Sequence, residues 1–494
     1  MTQPKDQIRK NSIWVVIGKF AEQTSQFLFG VILARLLTPE DFGLVVAIQI
    51  FTGLAGFISG AGMGGALIQA KQVHAVHFQV VFTVQLLICC VIYALFYYSA
   101  PYLADYMRNP IYTDLIRVSA LSFLTRPFLN VPRSKLIRDM KFNIITTNAI
   151  ISGLATGIAS ITFAHYNHGV WSLIWGGLVG AITIIPLTIY FARLPLRIKY
   201  DYQIAKNLGI MGAKFTANDI LVYLRNQAPN FIIGKTLGPY SVGLFNKGES
   251  LSAYPFSFIA ASAYDTVFRA LSSYQDNLDK SKYIFLRTIT LVTTYTFPFY
   301  VGLLWTSEEF IITIFGEKWL PAAAPLQIIS ISRMFACIGN PSGAVLAAQN
   351  TLGAEIILQF VSLLTISAGC WYGTKQGDLT IISLALLPGI VFIHLTATLV
   401  AMNKIRVSLH NLLTALKPAI ILNSLLFVEL AVTAWALDRY QPNLEIKLRL
   451  FCLVTSGSAF YTFLFLALPI QSLKSEAEKW KGLLRIKNIK QHKN

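Results

Sequence analysis

Five basic side chains interrupt stretches that are otherwise apolar: Lys19, Lys214, Arg225, Lys247 and Arg333. At the centre of a membrane helix each costs about 2.5 to 3.5 kcal/mol, about 12 to 17 kcal/mol for the set, so these groups must face water, a counter-charge or an anionic ligand. Helical spacing gathers them on polar faces. Lys19 shares a face with Glu22, Gln23 and Gln26, while Lys214, Asn218 and Arg225 project within about 40° of one another at about 100° per residue. Lys247 is accompanied by Glu249, Ser250 and Tyr254, and Arg333 by Asn340. Local pairing, Lys19 with Glu22 and Lys247 with Glu249 or Asp219, still leaves the five cations a surplus of about two charges. An anionic substrate would supply the difference, and a diphosphate suits both ammonium and guanidinium groups. Glu22, Asp219, Glu249 and Glu429 are the candidate sites for a coupling ion or for pairing.

The elements that carry these residues follow from composition. The chain has 494 residues, is 54% hydrophobic and 13% charged, and has a mean hydropathy of +0.56, which is more apolar surface than a water-soluble core can hide. Continuous apolar runs of about twenty residues recur along it, the length that crosses a hydrocarbon layer as helix rather than as alternating barrel strands. The expected fold is an all-α polytopic membrane protein. About 14 transmembrane helices are expected, near 12–34, 42–68, 78–100, 112–131, 143–165, 169–192, 208–234, 240–265, 283–305, 324–348, 354–373, 379–401, 415–437 and 447–469. The start, MTQPKDQIRKNS, is polar and basic and precedes a long apolar run with no clear small-residue cleavage site, so the first span is expected to stay.

A net charge of +18 invites a nucleic-acid reading, but the cations follow topology. With the N-terminus inside, the inner segments, including 126–141, hold about 27 Lys and Arg against about nine outside, which sets both termini in the cytoplasm. Nucleic acid is therefore not expected as a partner. The tail 474–494 mixes Trp480, Leu483 and Leu484 with cations and reads either as a segment on anionic membrane lipids or as a solvated basic tail. Cys89, Cys90, Cys337, Cys370 and Cys452 fall in apolar runs without CxxC or Cys/His ligand spacing, so no metal and no cofactor are expected. His165 and His168 read as capping or interfacial residues of a short outer turn. There is no P-loop and no nucleophile elbow.

ARLLTPEDFGL from Ala34 returns as GKTLGPYSVGL from Gly234, with Arg35/Lys235, Leu37/Leu237, Pro39/Pro239, Gly43/Gly243 and Leu44/Leu244 in register. A cation leaving the hydrocarbon, a Pro that stops one helix and a Gly that lets the next begin would explain the pattern. Six spans separate the copies, an even number, so the halves are parallel repeats. The expected organisation is an N-terminal six-helix lobe over 1–195, a second over 205–402, an extra helix pair over 403–470 and a basic cytoplasmic tail over 471–494, with the segment from Arg193 to Asn207 as connector. Pro186, Pro229, Pro255, Pro298, Pro341 and Pro388 lie inside apolar runs and predict kinks, and Gly176/Gly180 has the spacing of close helix packing.

ARLLTPEDFGLVV, RSKLIRDMKF from Arg133, GVWSL from Gly169, GKTLGPYSVGLFNKGESL and NPSGAVLAAQNTLG from Asn340, spread over about the first 350 residues, give the chain its resemblance. In their order and spacing it resembles the bacterial polysaccharide flippases, the Wzx-type exporters of O-antigen, teichoic acid and colanic acid within the multidrug/oligosaccharidyl-lipid/polysaccharide superfamily. The resemblance implies two six-helix lobes forming a V-shaped cavity and alternating access by rocking one lobe against the other. It implies a cationic cavity holding the diphosphate of an undecaprenyl-linked oligosaccharide, the role that Lys19, Lys214, Arg225, Lys247 and Arg333 would fill. It further implies an inner-membrane location, no enzymatic step, and polysaccharide polymerase and chain-length machinery as partners.

Two other readings compete. A cation-coupled multidrug exporter of the same superfamily should prefer an acidic or aromatic cavity, which five embedded bases argue against. A membrane-bound polysaccharide polymerase or ligase should carry a large outer loop with His and Arg, whereas every outer loop here is under about twenty residues.

Overall fold

The structure is a computed structural model that describes the backbone of residues 4–483 except 61, 275, 276, 350, 351 and 469; side chains at 4–17, 213–218, 260–263, 265, 266, 352, 354 and 355 are also outside the description. Among the described residues every regular element is helical: α1 (Pro4–Leu36), α2 (Pro39–Gly60), α3 (Met63–Gln69), α4 (Ala75–Tyr106), α5 (Tyr112–Arg138), α6 (Phe142–His165), α7 (Trp171–Ala192), α8 (Tyr202–Pro255), α9 (Ala261–Ser273), α10 (Leu278–Phe315), α11 (Ala323–Ala348), α12 (Leu352–Thr374), α13 (Leu379–Lys404), α14 (Leu409–Tyr440), α15 (Ile446–Ala467) and α16 (Lys474–Leu483). Nine of the described helical segments are long and apolar enough to cross a membrane. The predicted apolar windows fall on helices. Helix α8 is two helices joined at Gly238, whose φ of +83° and ψ of 178° a side chain would resist.

The chain divides into two compact units, Met1–Asn246 and Lys247–Asn494. In the first, α4 and α5 build a core with α2 and α7 through Leu44, Phe96, Leu115, Phe123 and Leu178. Gly176 and Gly180 on α7 let that helix close on α6, because a methyl group on either would overlap the Ser160 or Thr156 hydroxyl. The connector after α7 is not a free linker. It lies along α4, with Gln79 Nε2 donating to Pro195 O at 3.3 Å and Lys199 N donating to Thr83 Oγ1 at 2.9 Å.

The two copies of the repeat fall in this unit and meet each other. Pro39 occupies the first turn of α2, where its missing N–H costs nothing, behind a Thr38–Asp41 cap in which Asp41 Oδ2 accepts from Thr38 N at 2.9 Å and from Thr38 Oγ1 at 2.7 Å. Pro239 likewise follows the break at Gly238. Gly43 and Gly243, expected to open turns, instead sit inside helices. A methyl group on Gly43 would overlap the Pro239 carbonyl oxygen, and one on Gly243 would overlap that of Pro39. The echo in the sequence is thus a reciprocal backbone contact.

In the second unit α10 is the spine. Its hydroxyls at Thr288, Thr290, Thr293, Thr294 and Thr296 bond carbonyls one turn back, which satisfies them in an apolar interior. The extra pair α14 and α15 is fastened along its length: Arg449 Nε donates to Glu309 Oε1 at 2.7 Å and Nη1 pairs with Asp438, Tyr461 OH donates to Thr294 O at 2.5 Å, and Thr290 Oγ1 donates to Ala415 O at 2.9 Å. At the far end α16 docks through Arg287–Glu476 at 3.0 Å and Trp480 Nε1 donating to Tyr295 OH at 3.0 Å. Leu473 and Ala477 are buried there with Leu422 and Phe465, while Trp480 and Leu483 stay exposed. Helices run through Pro186, Pro298, Pro341 and Pro388, and Pro255 leads into a π-helical turn, Phe256–Ala260.

Candidate functional site

In the first unit, Lys19 and Glu22 are both exposed on α1, and Gln26 Nε2 donates to Glu22 Oε1 at 3.4 Å, so the polar face read from the sequence is one surface of that helix. Arg225 is half-buried on α8, its Nε and Nη2 donating to Asn226 Oδ1 at 3.2 and 2.8 Å. Asp219 is exposed six residues before it. The side chains of Lys214 and Asn218 lie outside the described residues.

Between Asp219 and Arg225, Tyr223 reaches α2. Its hydroxyl donates to Gln49 O at 2.6 Å, in the space left by Gly53. Phe57 meets the Tyr223 ring edge-on at 5.3 Å. One turn along α2, Gly56 leaves room for the guanidinium of Arg126, which donates to Ser59 Oγ at 3.3 Å and stands 4.8 Å from the centre of the Phe123 ring. In the sequence Arg126 falls both in the expected span 112–131 and in the basic segment 126–141 counted with the inner side, just before Pro127 and Pro132. Helix α5 continues through both prolines to Arg138. The apolar stretch VSALSFLT before it decides for the span, with residue 126 as its next position.

The motif around Arg133 does structural work at its end. Arg138 Nη1 donates to the carbonyls of Leu67, Ile68 and Ala70, at 3.0, 3.2 and 2.7 Å, and so satisfies the open end of α3. Lys135 pairs with Asp139 at 2.6 Å.

In the second unit the structure brings Arg333 and Glu249 together, Nη2 to Oε1 at 3.9 Å, with Arg333 Nε donating to Ser252 Oγ at 3.4 Å. Both side chains keep about a quarter of their surface open, 26% and 28%. The pair is long for a bidentate fork, so the guanidinium retains donors for another oxyanion. Lys247 lies beside them in sequence but turns its ammonium toward aromatic faces, 5.0 Å from the Phe315 ring and 4.6 Å from that of Trp319. Asn340 Oδ1, one of the polar atoms expected beside Arg333, is enclosed with no hydrogen-bond partner among the described residues. Glu429, on α14, accepts from Thr433 Oγ1 at 3.0 Å through Oε1, while Oε2 is enclosed without a partner among the described residues.

The chemistry open to this arrangement is recognition of anions by embedded guanidinium and ammonium groups. Among the described residues no three His, Cys, Asp or Glu side chains are grouped as metal ligands.

A family model described as "Polysaccharide biosynthesis protein" matches residues 32–324. The lipopolysaccharide biosynthesis protein WzxC of Escherichia coli K12 is 25% identical over 324 residues, 64% of this chain and 65% of that one, so the match spans just under two thirds of the relative. The teichuronic acid biosynthesis protein TuaB of Bacillus subtilis 168 is 22% identical over 464 residues, 93% of this chain and 95% of that one. Among solved structures, the lipid II flippase MurJ in an inward closed conformation superposes with a TM-score of 0.69 over 92% of this chain and 98% of its own, at 14% identity, which is a likeness of fold.

Proposed function

The chain belongs to the polysaccharide biosynthesis protein family, and from that premise we propose that it is a flippase for an undecaprenyl-diphosphate-linked oligosaccharide, moved from the cytoplasmic to the outer leaflet of the inner membrane by alternating access. The observation that carries the reading is the partly open Arg333, embedded in a membrane helix with a single long carboxylate contact. A multi-pass protein that carried cationic drugs would gain nothing from guanidinium groups at that depth, whereas a diphosphate neutralises them in pairs. The names of WzxC, TuaB and MurJ, tied to lipopolysaccharide, teichuronic acid and lipid II, support a lipid-linked saccharide as the cargo.

Lys19, Lys214, Arg225, Lys247 and Arg333 are the proposed substrate-binding residues, and Glu22, Asp219, Glu249 and Glu429 the proposed pairing or coupling residues. The protein works as two six-helix lobes, over 1–195 and 205–402, with both termini in the cytoplasm and with polymerase and chain-length machinery downstream. The decisive experiment reconstitutes the purified protein in liposomes with a fluorescent undecaprenyl-diphosphate oligosaccharide and follows its appearance in the opposite leaflet. Flipping that is lost in Arg225→Ala and Arg333→Ala, with both variants still folded in the membrane, is the expected result. Full flipping by both variants, or transport of a lipophilic cation in place of the lipid-linked sugar, would overturn the reading.

A further inference from the structure

Helix α2 ends at Gly60 and α3 begins at Met63, with Gly62 at φ +60° between them. The break comes about 32 Å along α2 from Pro39, at the far end of a helix long enough to cross a membrane. Gln85, a buried side chain about 15 Å along α4 from its start, donates through Nε2 to Gly60 O at 3.1 Å. Non-helical backbone within a membrane is tolerated where protein encloses it or where it borders a wet cavity. Beside the break stands Arg126, about 21 and 18 Å along α5 from the two ends of that helix.

A guanidinium has five N–H groups and cannot shed its charge in a protein. Among the described residues Arg126 has one acceptor, Ser59 Oγ, and no carboxylate in ion-pair range. Ser59 cannot swing to meet it differently, because its own hydroxyl donates to Gly56 O at 2.8 Å. The neighbouring Tyr223 hydroxyl donates to backbone carbonyls at 2.6 and 3.1 Å, and among the described hydrogen bonds the arginine donates to Ser59 and not to it. Phe123 holds the guanidinium plane from one side. The result is a positioned, partly accessible cation near the middle of α5 with unspent donors among the described residues.

We propose that Arg126 is an anion-binding residue that takes phosphoryl oxygens of the lipid-linked substrate at the middle of the first unit, with Ser59 and Phe123 as the groups that aim it. This rests on the flippase reading for the identity of the phosphate carrier. It adds a contact on α5, the helix that contributes none of the five cations read from the sequence, and it gives the broken α2 a purpose, since the break sets Ser59 and Gly56 where the guanidinium can be held without filling its remaining donor positions.

The test measures binding of undecaprenyl diphosphate, undecaprenyl monophosphate and undecaprenol to the full-length protein in nanodiscs. Wild type should prefer the diphosphate, and Arg126→Gln, which can still donate to Ser59, should lose about tenfold in affinity for it with no change for undecaprenol. Ser59→Ala, which keeps the charge but removes a group that aims it, should weaken diphosphate binding by about threefold, less than Arg126→Gln does, again with no change for undecaprenol. If Arg126→Gln fails to fold, Arg126→Lys takes its place and should show a smaller but measurable loss, because an ammonium cannot form the bidentate fork. Unchanged diphosphate affinity in the folded Arg126 variant, alongside a loss in Arg333→Gln, would overturn the inference and leave the flippase reading standing. A wild-type protein indifferent to the diphosphate would overturn both. Inorganic phosphate competing as well as the lipid-linked form would assign the site to a free anion and overturn its place on the substrate path.

Discussion

Gly43 and Gly243 pack backbone against backbone at equivalent positions of the two repeat copies, each holding space for the carbonyl oxygen of the other copy's proline. The contact is reciprocal, Gly43 to Pro239 and Gly243 to Pro39, as a local two-fold axis would make it. Neither glycine needs a special backbone conformation there. The constraint is room.

Gly43→Ala and Gly243→Ala should each destabilise the protein by about 1 to 3 kcal/mol, since the neighbour is backbone and cannot rotate away. Thermal unfolding of the detergent-purified protein reads the loss. The double variant should cost less than the sum, because the first methyl already parts the two helices. Strict additivity would mean that the two positions do not share one contact.

Arg333 and Glu249 should behave asymmetrically. Arg333→Gln is expected to reduce flipping at least about tenfold, as a charge-assisted contact to the anion disappears. Glu249→Gln should leave flipping within about threefold and cost only about 1 kcal/mol of stability, the pair being long at 3.9 Å and partly open. Equal losses of transport in the two variants would reduce the pair to a packing feature.

The ends of α10 carry separable fastenings. Arg449→Met should lower stability by about 1 to 3 kcal/mol, because it strands Glu309, whose side chain is only 14% exposed. Glu309→Gln should recover part of that loss when combined with it, which a double-mutant cycle by urea or heat unfolding would measure.

Arg287→Ala should release α16, which Arg287 holds through Ser472 O, Ser475 Oγ and Glu476 Oε1. Limited proteolysis should then cut within 474–483 several times faster than in wild type, with the other helices unaffected. Lys479→Ala, whose ammonium is largely exposed, serves as the control and should leave the cleavage rate unchanged. Faster cleavage in both would place the restraint elsewhere.

Much of the fold was legible because hydrocarbon thickness imposes a length on every span, and apolar runs of that length are plain in the sequence. The repeat was legible too, through Pro39/Pro239 and Gly43/Gly243, yet its meaning was not. A glycine after a proline suggests a turn, and only the three-dimensional pairing reveals that these glycines serve a contact between segments far apart in the chain. Arg126 fell between an expected span and an inner segment for a related reason. Pro127 and Pro132 weaken a helix locally, and packing of α5 against α4 and α7 carries the helix through them. Local pairing was half legible: Glu249 stood out as a partner, but the choice of Arg333 over the nearer Lys247 depends on Phe315 and Trp319, which arrive from another part of the sequence.

The contact between the repeat copies also bears on how the protein is made. Tyr223 and Gln49 are 174 residues apart, and the glycine pair is spaced comparably, so the inner face of α2 has no permanent cover until α8 has left the ribosome. Five helices, α3 to α7, must be inserted in the interval. During that time a strip of exposed backbone between Pro39 and Gly62 waits in the bilayer, a place where an insertase or a lipid would act as temporary escort, and where a stalled chain would be recognisable as unfinished.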